Sequence, residues 1–309
     1  MKAFHPVLFA LLFILPGAAL SQIAPATTTG YVEGPIREVT YNPDGSATML
    51  VQDVVVHVPA ELGIDSPTTV LTVRQLCIRN RLPGRTEPGF LGGTALINGV
   101  VDLSTLKFTA TDVTVEPAEN VVIGAITSVS PLRIQGTEVT LSTDPRILTQ
   151  IMNDYGFPAR LSGISVGQPA AAEGYYAGGK LYGYVIHLGL SAALANDVSQ
   201  VNIQRADSRE RVPNINRADE VDARGFYYSK DGLIPIIQIF RDDKGVLTSL
   251  GFATLVPDAV NPKYGVWTFR VDTPTTANPV LGTAPSKIKA VLNGSAGVTA
   301  NAVIETTLR

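Results

Sequence analysis

Alternation with a period of two is the feature that most restricts this chain. From Gly30 to the C-terminus, apolar and polar residues alternate in short runs, and Gly, Pro, Asn and Asp close most of them. Such a run places its apolar side chains on one face of an extended strand, and that face needs a second layer to cover it. "GYVEGPIREVTY" runs into "NPDGS", where Pro43 presets φ and Gly45 accepts a positive φ. "ATMLVQDVVVHVP" and "TVLTVRQLCIRN" read as a second and a third strand. "RLPGRTEPGFLGG" reads as a loop, and "TALINGVVDLSTLKFTATDVTVEP" as two further strands joined by a turn from Asp102 to Thr105.

The pattern then restarts. "VVIGAITSVS", "PLRIQGTEVTLS" and "PARLSGISV" are strand candidates, and "AAEGYYAGGKLYGYVIHL" is a hairpin with Gly178-Gly179 at its tip. Between them, "DPRILTQIMNDYGFP" has Ile147, Leu148, Ile151 and Met152 at helical spacing. Asp144 is placed as N-cap, Pro145 as the first helical residue and Gly156 as the stop. Short strands with one helix inserted after the third match an oligonucleotide/oligosaccharide-binding-type (OB-type) barrel, a small Greek-key β-barrel. The expected fold class is therefore all-β, with two tandem OB-like barrels over 30–117 and 118–190, the second carrying the helix. On "GAITSVSPLRIQGTEVTLSTDPRI" and "EGYYAGGKLYGYVIHL", the second unit resembles a domain of unknown function that recurs in tandem in exported bacterial proteins. The first unit departs from that pattern between Leu82 and Gly93 and shows no clear helix.

Residues 191–203 read as a linker. Over 204–309, "EVDARGFYY", "IPIIQIFRD", "TSLGFATLVPD", "YGVWTFRVDT", "SKIKAVLNG" and their neighbours give closely spaced strands, as in a two-sheet sandwich. "GVWTFRV" puts Trp267, Phe269 and Val271 on one face as a core anchor. On the "YGVWTF" stretch this part resembles bacterial immunoglobulin-like modules of surface and exported proteins.

The N-terminus points outside the cytoplasm. Lys2 precedes the apolar run Val7–Leu15, Pro16-Gly17 breaks it, and Ala19-Leu20-Ser21 suits cleavage before Gln22. Residues 1–21 are thus expected to be a signal peptide and 22–29 a flexible leader. The mature chain is expected in the periplasm or outside the cell, with no transmembrane segment. Its single cysteine, Cys77, excludes an internal disulfide and reads as a buried, inert thiol. A net charge of -3, with 24 Lys and Arg scattered among 27 acidic residues, offers no basic stripe for nucleic acid.

Motifs for catalysis fail on context. Gly163-Ile164-Ser165-Val166-Gly167 matches a nucleophile elbow, but the elbow needs a helix after it, and "QPAAAEG" follows. A hydrolase at Ser165 would further need His187 within hydrogen-bond reach. Gly174–Lys180 spells a phosphate-loop pattern, yet Leu181 stands where magnesium needs Ser or Thr. His57 and His187 lie far apart. Asp219, Glu220 and Asp222 lack calcium-loop spacing and are interleaved with arginines. No catalytic residue, metal site or cofactor is assigned.

One constellation suits binding: Tyr175, Tyr176, Lys180, Tyr182 and Tyr184 on the hairpin could stack on a sugar or a partner, although cross-strand tyrosines also stabilise sheets. Phe226-Tyr227-Tyr228 has the same ambiguity. The expected function is a non-enzymatic role in binding or envelope assembly, with a protein or glycan partner in the cell envelope. Binding of carbohydrate or another small ligand by the Tyr175–Tyr184 hairpin is the alternative.

Overall fold

The computed structural model describes residues 26–209, 220–272, 285–294 and 299–308. The signal-peptide assignment and Asp219 lie outside them. The first long alternating run becomes β1 (Thr27–Tyr41), which turns Val32, Ile36 and Val39 inward. Its first three residues fall in the segment read as a flexible leader. They are ordered because Thr27, Thr28 and Thr29 pair with Asp102, Val101 and Val100 of a later strand.

After β1 come β2 (Ala47–Val51), β3 (Val54–Val58), the short β4 (Ile64–Asp65) and β5 (Val70–Leu71), the single-turn helix α1 (Val73–Leu76), β6 (Thr94–Asp102) and β7 (Phe108–Glu116). Their order in the sheet is β3-β2-β1-β6-β7, and β3 returns to pair with β7 in parallel, Val56 opposite Phe108. The result is a closed five-stranded barrel, a topology consistent with an OB-like domain. Closure removes the open sheet edges that invite wrong pairing.

The second unit repeats this path. Its strands are β8 (Asn120–Val129), β9 (Leu132–Ile134), β10 (Thr137–Leu141), β11 (Gln150–Asn153), β12 (Pro169–Ala177) and β13 (Lys180–Leu188). They run β10-β9-β8-β12-β13, and Val139–Leu141 of β10 closes in parallel on Leu181–Gly183 of β13. Even the accessory strands correspond. β4 lies parallel to β7 in the first barrel, and β11 lies parallel to β13 in the second.

Three local expectations are corrected. The helix expected after Asp144 is a single turn, in which Asp144 accepts the backbone N–H groups of Arg146 and Ile147, and it leads into β11. Pairing of Gln150–Asn153 with Val185–Leu188 satisfies the backbone there, and Thr149 anchors the entry by donating from Oγ1 to the Gly183 carbonyl. The helix sits instead in the first barrel, inside the stretch read as its third strand. Thr72 and Gln75 form a capping box there, each side chain accepting the other's backbone N–H. "PARLSGISV" is mostly loop, held by isolated bridges of Met152 to Pro158 and Ala159 to Leu194. That last bridge also ties down part of the expected linker.

The remaining strands are β14 (Gln200–Val201), β15 (Arg205–Arg209), β16 (Glu220–Tyr228), β17 (Ile236–Asp243), β18 (Val246–Phe252), β19 (Thr254–Pro257), β20 (Tyr264–Asp272), β21 (Lys287–Asn293), β22 (Thr299–Glu305) and β23 (Thr307–Leu308). One sheet has the order β19-β20-β16-β15-β23, with β14 also on β16, and the other β18-β17-β21-β22. Trp267 and Phe269 from the first sheet meet Ile237, Ile239, Ile288 and Leu292 from the second in one core, so the two sheets face each other. The run "TSLGFATLVPD" is shared between them, β18 in one sheet and β19 in the other.

The two barrels are joined by a buried arginine. Arg146 sits in the turn before β11 with its side chain 4% exposed, and it holds Asp144 through Nε and Nη2 at 2.9 and 2.7 Å. Its other donors cross to the first barrel, Nη1 to the Ile78 carbonyl at 3.0 Å and Nη2 to the Asn80 carbonyl at 2.9 Å. The guanidinium also lies over the Phe90 ring, 5.8 Å from its centroid. Gly89 makes room for this: a Cβ there would lie 2.7 Å from the Ile78 carbonyl oxygen, and its φ is +55°. Ser66 donates to the Arg146 carbonyl and Gln150 to the Thr68 carbonyl, while Ile147 enters the core of the first barrel.

Removing one partner of a buried pair strands the other, at a cost of about 3–5 kcal/mol. Arg146→Met is expected to lower the unfolding free energy by about that amount, read from urea denaturation. Burial pushes the Asp144 carboxyl up, but hydrogen bonds from the Arg146 side chain and backbone outweigh it and hold the carboxyl below its ordinary 3.8. A depressed carboxylate stabilises the fold above its unfolded value and loses that contribution as pH falls through its folded value. The stability gap between the wild-type protein and Asp144→Asn should therefore be full at pH 6 and shrink as pH drops below 3.8. A gap independent of pH would contradict the pairing.

Candidate binding site

The aromatic hairpin is β12 and β13, turned by Gly178 and Gly179 at φ +56° and +82°. Its tyrosines have different fates. Tyr175 pairs with Tyr182 across the hairpin, and their rings stack at 5.3 Å and 10°. Both face the first barrel. Tyr175 is buried, and its hydroxyl donates to the Pro83 carbonyl at 2.8 Å. The Tyr182 ring lies so close to Gly84 that a Cβ there would be 2.4 Å from it. The register shifts between Glu173 and Gly174, which leaves Tyr184 as the extra residue of a bulge. Tyr184 is fully buried and donates to the Ala118 carbonyl at 3.3 Å. Burial pushes both the Tyr175 and the Tyr184 phenols well above their ordinary value.

Tyr176 is the exception. Tyr176 is 59% exposed, and its backbone N–H is fixed by Asn120 Oδ1 at 2.9 Å. Lys180 is committed elsewhere on the surface, 2.7 Å from Glu138, which Arg133 holds from the other side at 2.8 Å. Of the four tyrosines singled out from sequence, Tyr176 alone is exposed, Tyr182 is half-buried, and Tyr175 and Tyr184 are buried at the joint between the barrels.

Tyr176 stands on the rim of a cleft of ≈ 450 Å³ formed where the hairpin meets the loop Leu82–Gly93 of the first barrel. That volume is in the range of small-ligand sites. Tyr175, Pro117, Arg85, Glu87 and Gly92 complete the wall. The Arg85 side chain is 9% exposed, and its Nη2 donates to the Leu91 carbonyl at 2.7 Å. Glu87 is half exposed, 3.8 Å from Arg85 Nε, and a hydrogen bond from the Thr86 hydroxyl leads the effects that hold its carboxyl below the ordinary value. Sequence reading passed over Arg85 and Glu87 as loop residues. The available signal was a charged pair embedded in a Pro- and Gly-rich segment.

The catalytic pattern around Ser165 is a surface turn. Ser165 is exposed, its backbone N–H goes to Gln168 Oε1 at 2.8 Å, and a β-strand, not a helix, follows. Among the described residues no hydrogen bond joins Ser165 to His187. His187 instead lines a second cleft of ≈ 290 Å³ with Asp154, Ile123 and Gly167. No group of three or more His, Cys, Asp or Glu side chains among the described residues is arranged to hold a metal. No helix among them is long and apolar enough to cross a membrane. Glu220 is buried between Arg270 and Arg209, at 2.9 and 3.4 Å. Burial pushes the Cys77 thiol up to about 11.

The second aromatic group is a joint as well. Tyr155 of the second barrel stacks on Phe226 at 4.4 Å and 6° and donates to Asp258 at 2.6 Å. Tyr228 and Tyr264 pack beside it, and Tyr227 is buried in the sandwich core.

No protein-family model and no curated protein matches the chain. Among solved structures it is similar to the sulfane dehydrogenase SoxCD from Paracoccus pantotrophus, at 12% identity and a TM-score of 0.21, over 77% of this chain and 68% of that one. At that likeness nothing about fold or function is carried over.

Burial separates the hairpin tyrosines by experiment. Tyr175→Ala should cost about 3–5 kcal/mol of stability, as large buried aromatics do. Tyr176→Ala should stay within about 0.5 kcal/mol of wild type. Thermal denaturation of the two variants side by side checks this, and equal losses would place both rings in the core.

Proposed function

We propose that this is an exported, non-enzymatic binding protein of the periplasm or cell surface, which takes a saccharide-type ligand in the cleft between its barrels. The carrying observation is the cleft itself. An exposed tyrosine ring stands over a small-ligand-sized concavity whose wall combines an apolar side with a guanidinium and a carboxylate. Flat aromatic faces suit sugar rings, and a few fixed polar groups orient the hydroxyls.

The N-terminal pattern of Lys2 and the apolar run Val7–Leu15 supports export. On this reading the two barrels are copies of the tandem domain of unknown function that the sequence resembles. The shared strand path, including the parallel accessory strand, supports that. The third body is on this reading an immunoglobulin-like module, supported by its two facing sheets around Trp267. The partner is a glycan or a glycan-bearing component of the envelope.

A glycan array probed with the mature protein, alongside esterase, glycosidase and peptidase substrates, tests this. Binding to a defined set of glycans, lost in Tyr176→Ala, with no turnover, is the expected result. Robust hydrolysis abolished by Ser165→Ala, or an array without any binding, would overturn it.

A further inference from the structure

Arg85 pairs with Glu87 and still has a donor to spare. A guanidinium offers five N–H donors in a rigid fork. With its side chain 9% exposed, Arg85 uses Nη2 on the Leu91 carbonyl, while Glu87 stands 3.8 Å from Nε, beyond a hydrogen bond. Nη1 is buried and has no hydrogen-bond partner. Leaving a buried donor unmet is costly, more so for a charged group. Burial accordingly lowers the Arg85 pKa from its ordinary value. Gly92 lies beside the fork with φ +73°, and a Cβ on it would stand at ordinary contact distance, 3.5 Å from Arg85 Nη2 and 3.7 Å from Glu87 Cγ.

We infer that the cleft selects saccharides that carry a carboxylate, with the Arg85 fork as the carboxylate-binding group and Tyr176 as the platform for the sugar ring. This rests on the binding reading above and adds the charge of the ligand. Three features of the wall narrow the ligand class. A neutral sugar would offer the fork only hydroxyl acceptors, which hold a guanidinium more weakly than a carboxylate does. A simple anion would meet the ionised Glu87 with nothing to donate to it. A uronic acid unit answers both: its carboxylate accepts from Arg85, and its hydroxyls donate to Glu87. The sugar ring's apolar face then lies on Tyr176, an exposed residue that lines the cleft with Pro117.

Titration calorimetry on the mature protein tests the inference with trimers of galacturonate, mannuronate and glucuronate, their methyl esters, and the tripeptide Gly-Gly-Gly with a free carboxylate. At least one acidic trimer is expected to bind, its methyl ester at least tenfold more weakly. Arg85→Lys, which keeps the charge and loses the fork, should weaken the acidic trimer about tenfold and narrow its preference over the ester. Arg85 also holds the Leu91 carbonyl, so Tyr176→Ala, on the surface, serves as the second variant and should weaken acid and ester alike. Equal binding of acid and ester, both lost in Tyr176→Ala, would overturn the charge selection and leave the saccharide reading standing. Tripeptide binding as tight as the trimers would overturn the saccharide assignment. Acid binding indifferent to both substitutions would remove the site from this cleft, and no binding by any trimer would overturn the inference outright.

Discussion

The arrangement depends on where one guanidinium finds its acceptors. Arg146 belongs to the second barrel by sequence, yet two of its hydrogen bonds end on carbonyls of the first, and Asp144 neutralises it from its own turn. A buried charge tolerates little slack, because every donor pulled from an acceptor in a low-dielectric setting is expensive. The pair therefore fixes the turn 144–147 against the segment Ile78–Phe90. Ile147 follows into the apolar core of the first barrel, together with Tyr175 and Tyr184. The second barrel keeps its own core around Ile126, Ile134 and Ile186, yet shares Ile147, Tyr175 and Tyr184 with the core of the first.

That sharing explains why the second barrel has a strand where a helix was expected. The spacing of Ile147, Leu148, Ile151 and Met152 is helical, but these side chains are not wanted on one face. Ile147 is buried against the neighbouring barrel, Leu148 is 56% exposed, and Ile151 and Met152 are half-buried along β11. A periodicity argument treats a segment as if it had one partner, and this one has two. The converse error occurred at Thr72–Gln75. There the T-x-x-Q signature of a capping box is present, but the flanking alternation of "TVLTV" masked a helix of one turn.

Most strands were legible, because alternation and turn residues are local properties of the chain. Barrel closure was legible only as a class, since β3 meets β7, and β10 meets β13, across long stretches of sequence. The tyrosine hairpin was legible as a constellation and not as a surface. Alternation assigns Tyr175 and Tyr176 to opposite faces, but which face meets solvent is decided by the other barrel. Leu82–Gly93 was the least legible stretch. It looked like a departure from the barrel pattern, and its irregular path carries Pro83, Gly84 and Phe90 to the joint and Arg85 to the cleft.

The cleft is thus a product of the joint. Neither barrel forms it alone: Arg85, Glu87 and Gly92 come from the first, and Tyr175 and Tyr176 from the second. Duplicating a small closed barrel yields two units with filled interiors and little concavity, since at this strand number side chains fill the barrel. Docking the copies side by side creates concavity without opening either core. The cost is the burial of polar groups at the contact, and the structure meets it with directed hydrogen bonds from Arg146, Ser66, Gln150, Tyr175 and Tyr184. That satisfaction is not complete: Arg85 Nη1, in the loop that lines the cleft, is buried without a hydrogen-bond partner, as are Thr68 Oγ1 and Ser142 Oγ.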